Sequence, residues 1–178
     1  MKIRSLSILM SCAIAIPIAN ASELDDAVKY GNLLTEAVEA GRSVDLRKLA
    51  DHREIEQYLS HHACSEFKYK AYVVDSVGES FLYLVASKGP DVIVGRHFKM
   101  PIRNGSIEVA EVESSTRGCL DLGSPGPDTA GMVVTHLKPY PNEFHVLESN
   151  LASVSLYVAT SRGTYGVQYG AIHLVRKR

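Results

Sequence analysis

At Phe67 the spacing of apolar residues changes from helical to alternating, and this switch does most to limit what the chain can fold into. Before it, Leu24, Val28, Leu34 and Val38 recur near helical spacing from Ser22 to about Ala40. Ser22-x-x-Asp25 is an imperfect capping box for that helix, and Gly41 is its stop. After the link Arg42-Ser43-Val44, Asp51-x-x-Glu54 forms a second capping-box pattern, and Ile55, Tyr58 and Leu59 give a short helix its apolar stripe.

Beyond Phe67, β-branched and aromatic residues alternate with polar ones, which predicts strands. Phe67–Asp75 and Ser80–Ser87 read as a hairpin about Ser76-Val77-Gly78-Glu79. Asp91–Met100 and Ser106–Glu113 form a second, turning at Arg103-Asn104-Gly105, where Asn-Gly favours a type I′ turn. Residues 67–113 are thus expected to form an antiparallel meander. The Gly- and Pro-rich stretch 114–130 reads as an irregular loop, and residues 131–178 as mostly strand. Strands are expected at Met132–Leu137, Ser155–Ser161, Thr164–Tyr169 and Ala171–Val175. Asn142–Leu151 fits a helix through Phe144, Leu147 and Leu151 better than it fits a strand. Helices first and strands after predict an α+β fold, with an N-terminal helical pair (22–64) packed on a mostly antiparallel β-sheet.

The first 21 residues carry a basic start (Lys2, Arg4), an apolar run from Ser5 to Ile18 and an Ala19-Asn20-Ala21 cleavage site, the three parts of a secretory signal peptide in order. Residues 22–178 would then form one exported domain, periplasmic or secreted, with no transmembrane segment after the leader is removed. Cys12 follows Leu9-Met10-Ser11 in a weak lipobox pattern, but the run stays apolar after it, so a lipid anchor there is not expected. Cys64 and Cys119 are left, and in an oxidising compartment two cysteines form a disulfide. Closing a loop of that length stabilises the fold by about 4 kcal/mol in the chain-entropy model.

Removing the leader takes two of the 19 Lys and Arg residues and none of the 20 Asp and Glu, which leaves a formal charge of −3. That balance argues against nucleic acid as a partner, and no basic cluster appears except Arg176-Lys177-Arg178. No G-x-G-x-x-G, G-x-x-x-x-G-K-[ST] or G-x-S-x-G motif is present, so no cofactor is expected. There is no tryptophan, so any stacking platform would rely on Tyr69, Tyr83, Tyr157, Tyr165 and Tyr169. AVEAGRSVDL, followed later by GRHF, resembles small exported VirK-type proteins, but the pattern does not extend through 119–178 and nothing is carried over from it.

His61-His62-x-Cys64 resembles a metal or thiol motif. A structural zinc site needs four ligands, adjacent helical residues diverge by about 100°, and Cys119 offers the thiol a disulfide partner. The motif therefore reads as a helix end followed by half a disulfide, and no metal is expected. His136, Glu143 and His145 are a stronger group: on a strand, Glu143 and His145 share a face, and His136 can join them as a two-His, one-carboxylate set. On a helix, His145 instead meets Ser149. Thr116, Arg117 and Asp121 flank Cys119 and are candidate ligand contacts.

These features together favour a small exported protein that binds a protein partner, such as an inhibitor, an immunity-type protein or an envelope or virulence accessory factor. The alternative is an exported hydrolase using His136, Glu143 and His145. Thiol titration of the unfolded, unreduced protein after leader removal is expected to find no free thiol, and two free thiols would reopen the chemistry of His61 and His62.

Overall fold

The computed structural model describes residues 20–178. The signal-peptide and Cys12 readings fall outside the described residues, except that Asn20 and Ala21 open the first helix, α1 (Asn20–Glu39). Ser22 therefore lies inside α1 rather than capping it. At the other end Gly41 takes φ +65°, Gly41 N–H donates to Val38 O, and Arg42 N–H donates to Ala37 O. This is a Schellman stop, which needs a left-handed residue where the sequence supplies glycine.

Helix α2 (His52–His62) has Asp51 at its N-cap position. The Asp51 carboxylate does not cap the helix. It accepts a 2.8 Å hydrogen bond from Ile107 N–H, tying α2 to a strand 56 residues away. Cys64 lies two residues past the helix and is bonded to Cys119, with a Cα–Cα distance of 5.9 Å.

The first sheet has six antiparallel strands: β1 (Ser43–Val44), β2 (Lys68–Ser76), β3 (Glu79–Ser87), β4 (Phe98–Arg103), β5 (Ser106–Ile107) and β6 (Glu113–Ser114). β2 and β3 pair over their full length about Val77-Gly78, and Asn104 and Gly105 both take positive φ at the β4–β5 turn. The expected strand from Asp91 begins only at Phe98. Val92 and Val94 instead bond to Gly123 and Leu120 in the loop, and Arg96 takes φ +59°, which stops the extended run. Likewise 106–113 is broken by a 3₁₀ turn at Val109–Glu111.

A second sheet, not anticipated as separate, has the order β10–β9–β8–β7, from β7 (Met132–Thr135), β8 (Leu156–Ala159), β9 (Gly163–Gln168) and β10 (Ala171–Lys177). β7 and β8 are parallel, joined through α3 (Glu143–Ala152), and the other pairs are antiparallel. Parallel strands need a long crossover, and here a helix supplies it.

Alternation along β2 and β3 divides the core. Tyr72, Val74, Tyr83 and Val85 face Tyr30, Leu34, Phe144 and Leu147 of α1 and α3, whereas Ala71, Leu82 and Leu84 share a cluster with Ile55 of α2. The second sheet places Val134, Leu156, Val158 and Val167 against Val146 of α3. Helix α3 therefore lies between the two sheets, with α1 beside it, and residues Phe144 to Ser149 are all buried. Among the described residues no helix is long and apolar enough to cross a membrane.

Helices α1 and α3 approach closely at Gly31, where an added Cβ would sit 2.5 Å from Val146 Cβ and 2.9 Å from Glu143 O. Gly31→Ala is expected to lower stability by about 1–3 kcal/mol despite alanine's better helix propensity, measured by chemical denaturation, because α3 has no free side toward which to move.

Candidate functional site

Helix α3 decides between the two readings of the 136–149 segment. Residues two apart on a helix point about 200° apart, so Glu143 and His145 face opposite ways. His145 turns inward, and its ring centroid lies 4.8 Å from that of His136, which follows β7. Glu143 faces the first sheet and pairs with Lys99 of β4 at 3.0 Å. The structure thus brings His136 and His145 together and directs Glu143 elsewhere. Ser149 does not meet His145 either: its hydroxyl lies 2.8 Å from both Val154 O and Val167 O.

His145 Nδ1 accepts a 3.1 Å hydrogen bond from Asn142 N–H. In a neutral imidazole the proton then resides on Nε2, which leaves no lone pair there for a metal. Burial, reinforced by neighbouring His136, pushes the His145 pKa down to about 3. Burial also lowers that of His136 to about 4, with Lys138 adding to it. Both rings are neutral at physiological pH. Among the described residues no group of three or more His, Cys, Asp or Glu side chains is placed to hold a metal ion.

On the other side of α3, the Lys99 ammonium lies 4.1 Å from the ring centre of Phe81, 4.7 Å from that of Tyr30 and 5.8 Å from that of Tyr83, with Glu143 as counter-ion. Tyr83 Oη donates to Glu143 at 3.4 Å, and Tyr30 Oη donates to Glu79. Burial, followed by the bond to Glu79, pushes the Tyr30 phenol up to about 12. This cage forms the back of an open cleft of about 410 Å³ between α1, β4 and residues 138–143, with Glu23, Asp26 and Tyr140 in its walls. Lys138 pairs with Glu113 at 3.0 Å, also within the cleft. Both ammoniums are therefore engaged, and the exposed Glu23 and Asp26 have no ion pair among the described residues.

In the 114–130 loop the flanking polar residues mostly hold the loop itself. Thr116 Oγ1 accepts from Arg96 N–H and donates to Gly118 O, while Asp121 pairs with Lys88 at 2.8 Å and accepts from Gly123 N–H. The bond from Lys88 holds the Asp121 carboxyl below the usual carboxylate range. Arg117 is exposed. His61 and His62 are exposed on the last turn of α2, with His62 stacked on Tyr58 at 4.3 Å. Of the five strand tyrosines, Tyr83 and Tyr165 are buried and Tyr69 is half-buried, so they do not form a common exposed platform.

Comparison with protein-family models, curated proteins and solved structures finds no match.

Two buried groups outside the expected set are His97 and Glu148. His97, fully buried before β4, accepts from Ala86 N–H at Nδ1 (3.1 Å) and donates from Nε2 to Ile93 O (2.5 Å). Glu148 accepts from Ile93 N–H at Oε2 (3.1 Å), and its Oε1 lies 3.7 Å from His97 Nε2. At that distance the contact is not a hydrogen bond. Burial lowers the His97 pKa to about 4 and raises that of Glu148 to about 8, so two neutral groups meet rather than an ion pair. The sequence held one signal for Glu148: it lies four residues after Phe144 and next to Leu147, inside the apolar stripe of the helix.

These shifts set the pH dependence of stability. His97, His136 and His145 have depressed pKa values in the fold, so their contribution is present above about pH 6.5 and is lost as pH falls towards 4 and 3. Glu148 has a raised pKa, so its contribution is complete below about pH 4.5 and is lost as pH rises through 8. Glu148→Gln is expected to steepen the rise in stability that the histidines give between about pH 5 and 6.5 and to remove the decline above about pH 7, a combined effect on the order of a few kcal/mol, measured by urea denaturation across pH. A variant with the wild-type slope would show that Glu148 ionises freely in the fold.

Proposed function

We propose that this chain is a small exported binding protein whose cleft between α1, β4 and residues 138–143 receives a cationic segment of a protein partner. The observation that carries the reading is the charge distribution in the cleft. Four carboxylates (Glu23, Asp26, Glu113 and Glu143) face two ammoniums, Lys99 and Lys138, each already paired. Glu23 and Asp26 on the first turns of α1 remain to meet a lysine or arginine from outside. Tyr140 adds an aromatic ring against whose face a cation can rest. The cage around Lys99 uses the same chemistry within the molecule.

Part of the surface expected from the sequence contributes to this reading, because residues 138–143 line the cleft, whereas Thr116 and Asp121 are occupied in holding their own loop. A hydrolase built on His136, Glu143 and His145 has less support, since Glu143 points away from the two histidines and His145 spends its Nδ1 lone pair on Asn142 N–H. Inhibitor, immunity-type and accessory roles all remain compatible with a site that binds basic segments.

A short oligolysine peptide is expected to bind at low ionic strength, to weaken as salt rises, and to lose on the order of tenfold in affinity in the Glu23→Lys/Asp26→Lys variant, measured by calorimetric titration. Equal binding of oligoglutamate, or an unchanged affinity in the variant, would refute the reading.

A further inference from the structure

A second pocket, of about 230 Å³, opens beside the C-terminal half of α3, between the C-terminal half of α1, the β2–β3 hairpin and the 88–91 turn. Its walls set the apolar side chains of Val38, Val85, Pro90 and Leu151 beside the polar ones of Lys70, Ser87 and Asp91, and Glu148 lies in its lining. Glu148 is only 5% exposed. Of its two oxygens, Oε2 is held by Ile93 N–H, whereas Oε1 has no hydrogen-bond partner among the described residues. His97 Nε2, 3.7 Å from Oε1, is already donating to Ile93 O. A buried carboxyl is thus fixed by one oxygen and unpartnered at the other, at the wall of an open pocket whose volume exceeds the ~150 Å³ that holds a six-membered ring in an engineered cavity.

We propose that this pocket binds a small, uncharged, mainly apolar molecule that presents a hydrogen-bond acceptor, a ketone or amide carbonyl, to the Glu148 carboxyl. The ionisable and charged groups around that carboxyl are Lys70 and Tyr72 on β2, Asp91 on the turn before β4, and His97 behind it. Lys70 and Asp91 bring opposite charges to the pocket, and Asp91 is itself paired with Lys88 at 3.9 Å. Glu148, neutral through burial, offers an O–H at Oε1, as a carboxylic acid in an apolar site does when it serves as a hydrogen-bond donor. An anion would face Asp91 and lose its hydration against apolar walls, and a cation would bind only at the cost of ionising Glu148 in the interior. The pocket is smaller than those that enclose drug-sized ligands, which limits the occupant to a compact molecule.

Three matched six-ring probes separate these chemistries: cyclohexanone, cyclohexylamine and cyclohexanecarboxylate, each titrated into the protein while its amide chemical shifts are followed. Cyclohexanone is expected to shift the amides of Ile93, Glu148 and Leu151 at pH 6 and to bind about tenfold more weakly at pH 9, where a group of pKa about 8 is mostly ionised. Glu148→Gln, whose amide N–H still donates, is expected to keep the binding and lose its pH dependence, whereas Glu148→Leu loses the binding. The proposal is overturned if the amine or the carboxylate binds more tightly than the ketone. It is also overturned if Glu148→Leu, shown folded by its spectrum, binds the ketone as well as wild type does, or if none of the probes shifts these amides. The cationic cleft is on a separate face and is tested by different variants, so either site can fail without the other.

Discussion

The rest of the structure depends on the enclosure of α3 between two sheets. A helix covered on one side hides a stripe and leaves a polar face in water. Here six consecutive residues, Phe144 to Ser149, are buried. Phe144 and Leu147 join the core shared by α1 and the first sheet, while Val146 joins that of the second sheet. The helix is also the crossover that makes β7 and β8 parallel, so it sets the topology of one sheet and the packing of the other.

Enclosure leaves the polar side chains of α3 two choices: an internal partner or the neutral form. Ser149 finds the carbonyls of Val154 and Val167. His145 takes Asn142 N–H, and Glu148 takes Ile93 N–H while remaining protonated near neutral pH. Glu143, at the open end of the helix, pairs with Lys99 and forms a wall of the cleft. Two clefts thus border one helix: at its start the one lined by Glu143, Lys99 and the acidic residues of α1, and farther along the one lined by Glu148. Glu143 has Lys99 as a counter-ion at 3.0 Å, whereas the more deeply buried Glu148 faces His97, and this accounts for the difference between the two carboxylates.

Local features were legible in the sequence because their causes are local. The period switch at Phe67, the Gly41 stop and the Asn104-Gly105 turn each rest on residue types whose physical meaning does not depend on distant neighbours, and the long-range partnership of Cys64 with Cys119 was legible because these two cysteines alone follow the expected leader. What was illegible depends on long-range contacts. Asp51 looks like a helix cap, yet Ile107 N–H competes for it and wins. The run from Asp91 reads as a strand, but its backbone bonds go to the Gly123 and Leu120 loop, and Arg96 turns left-handed. His136, Glu143 and His145 are close in sequence and all of catalytic type, but helical geometry separates Glu143 from the histidines. The His97–Glu148 contact joins positions 51 residues apart, beyond the reach of any spacing rule.

If α3 is the element on which both sheets depend, it cannot open without global unfolding. Native-state hydrogen exchange measures this directly, because amides that exchange only through global unfolding report the full stability, whereas locally opening segments report less. The amides of Val146 to Ser149 are predicted to exchange with the same free energy, and the same denaturant dependence, as those at the centre of β3. Exchange of α3 through a cheaper, denaturant-insensitive opening, with β3 still protected, would contradict the account.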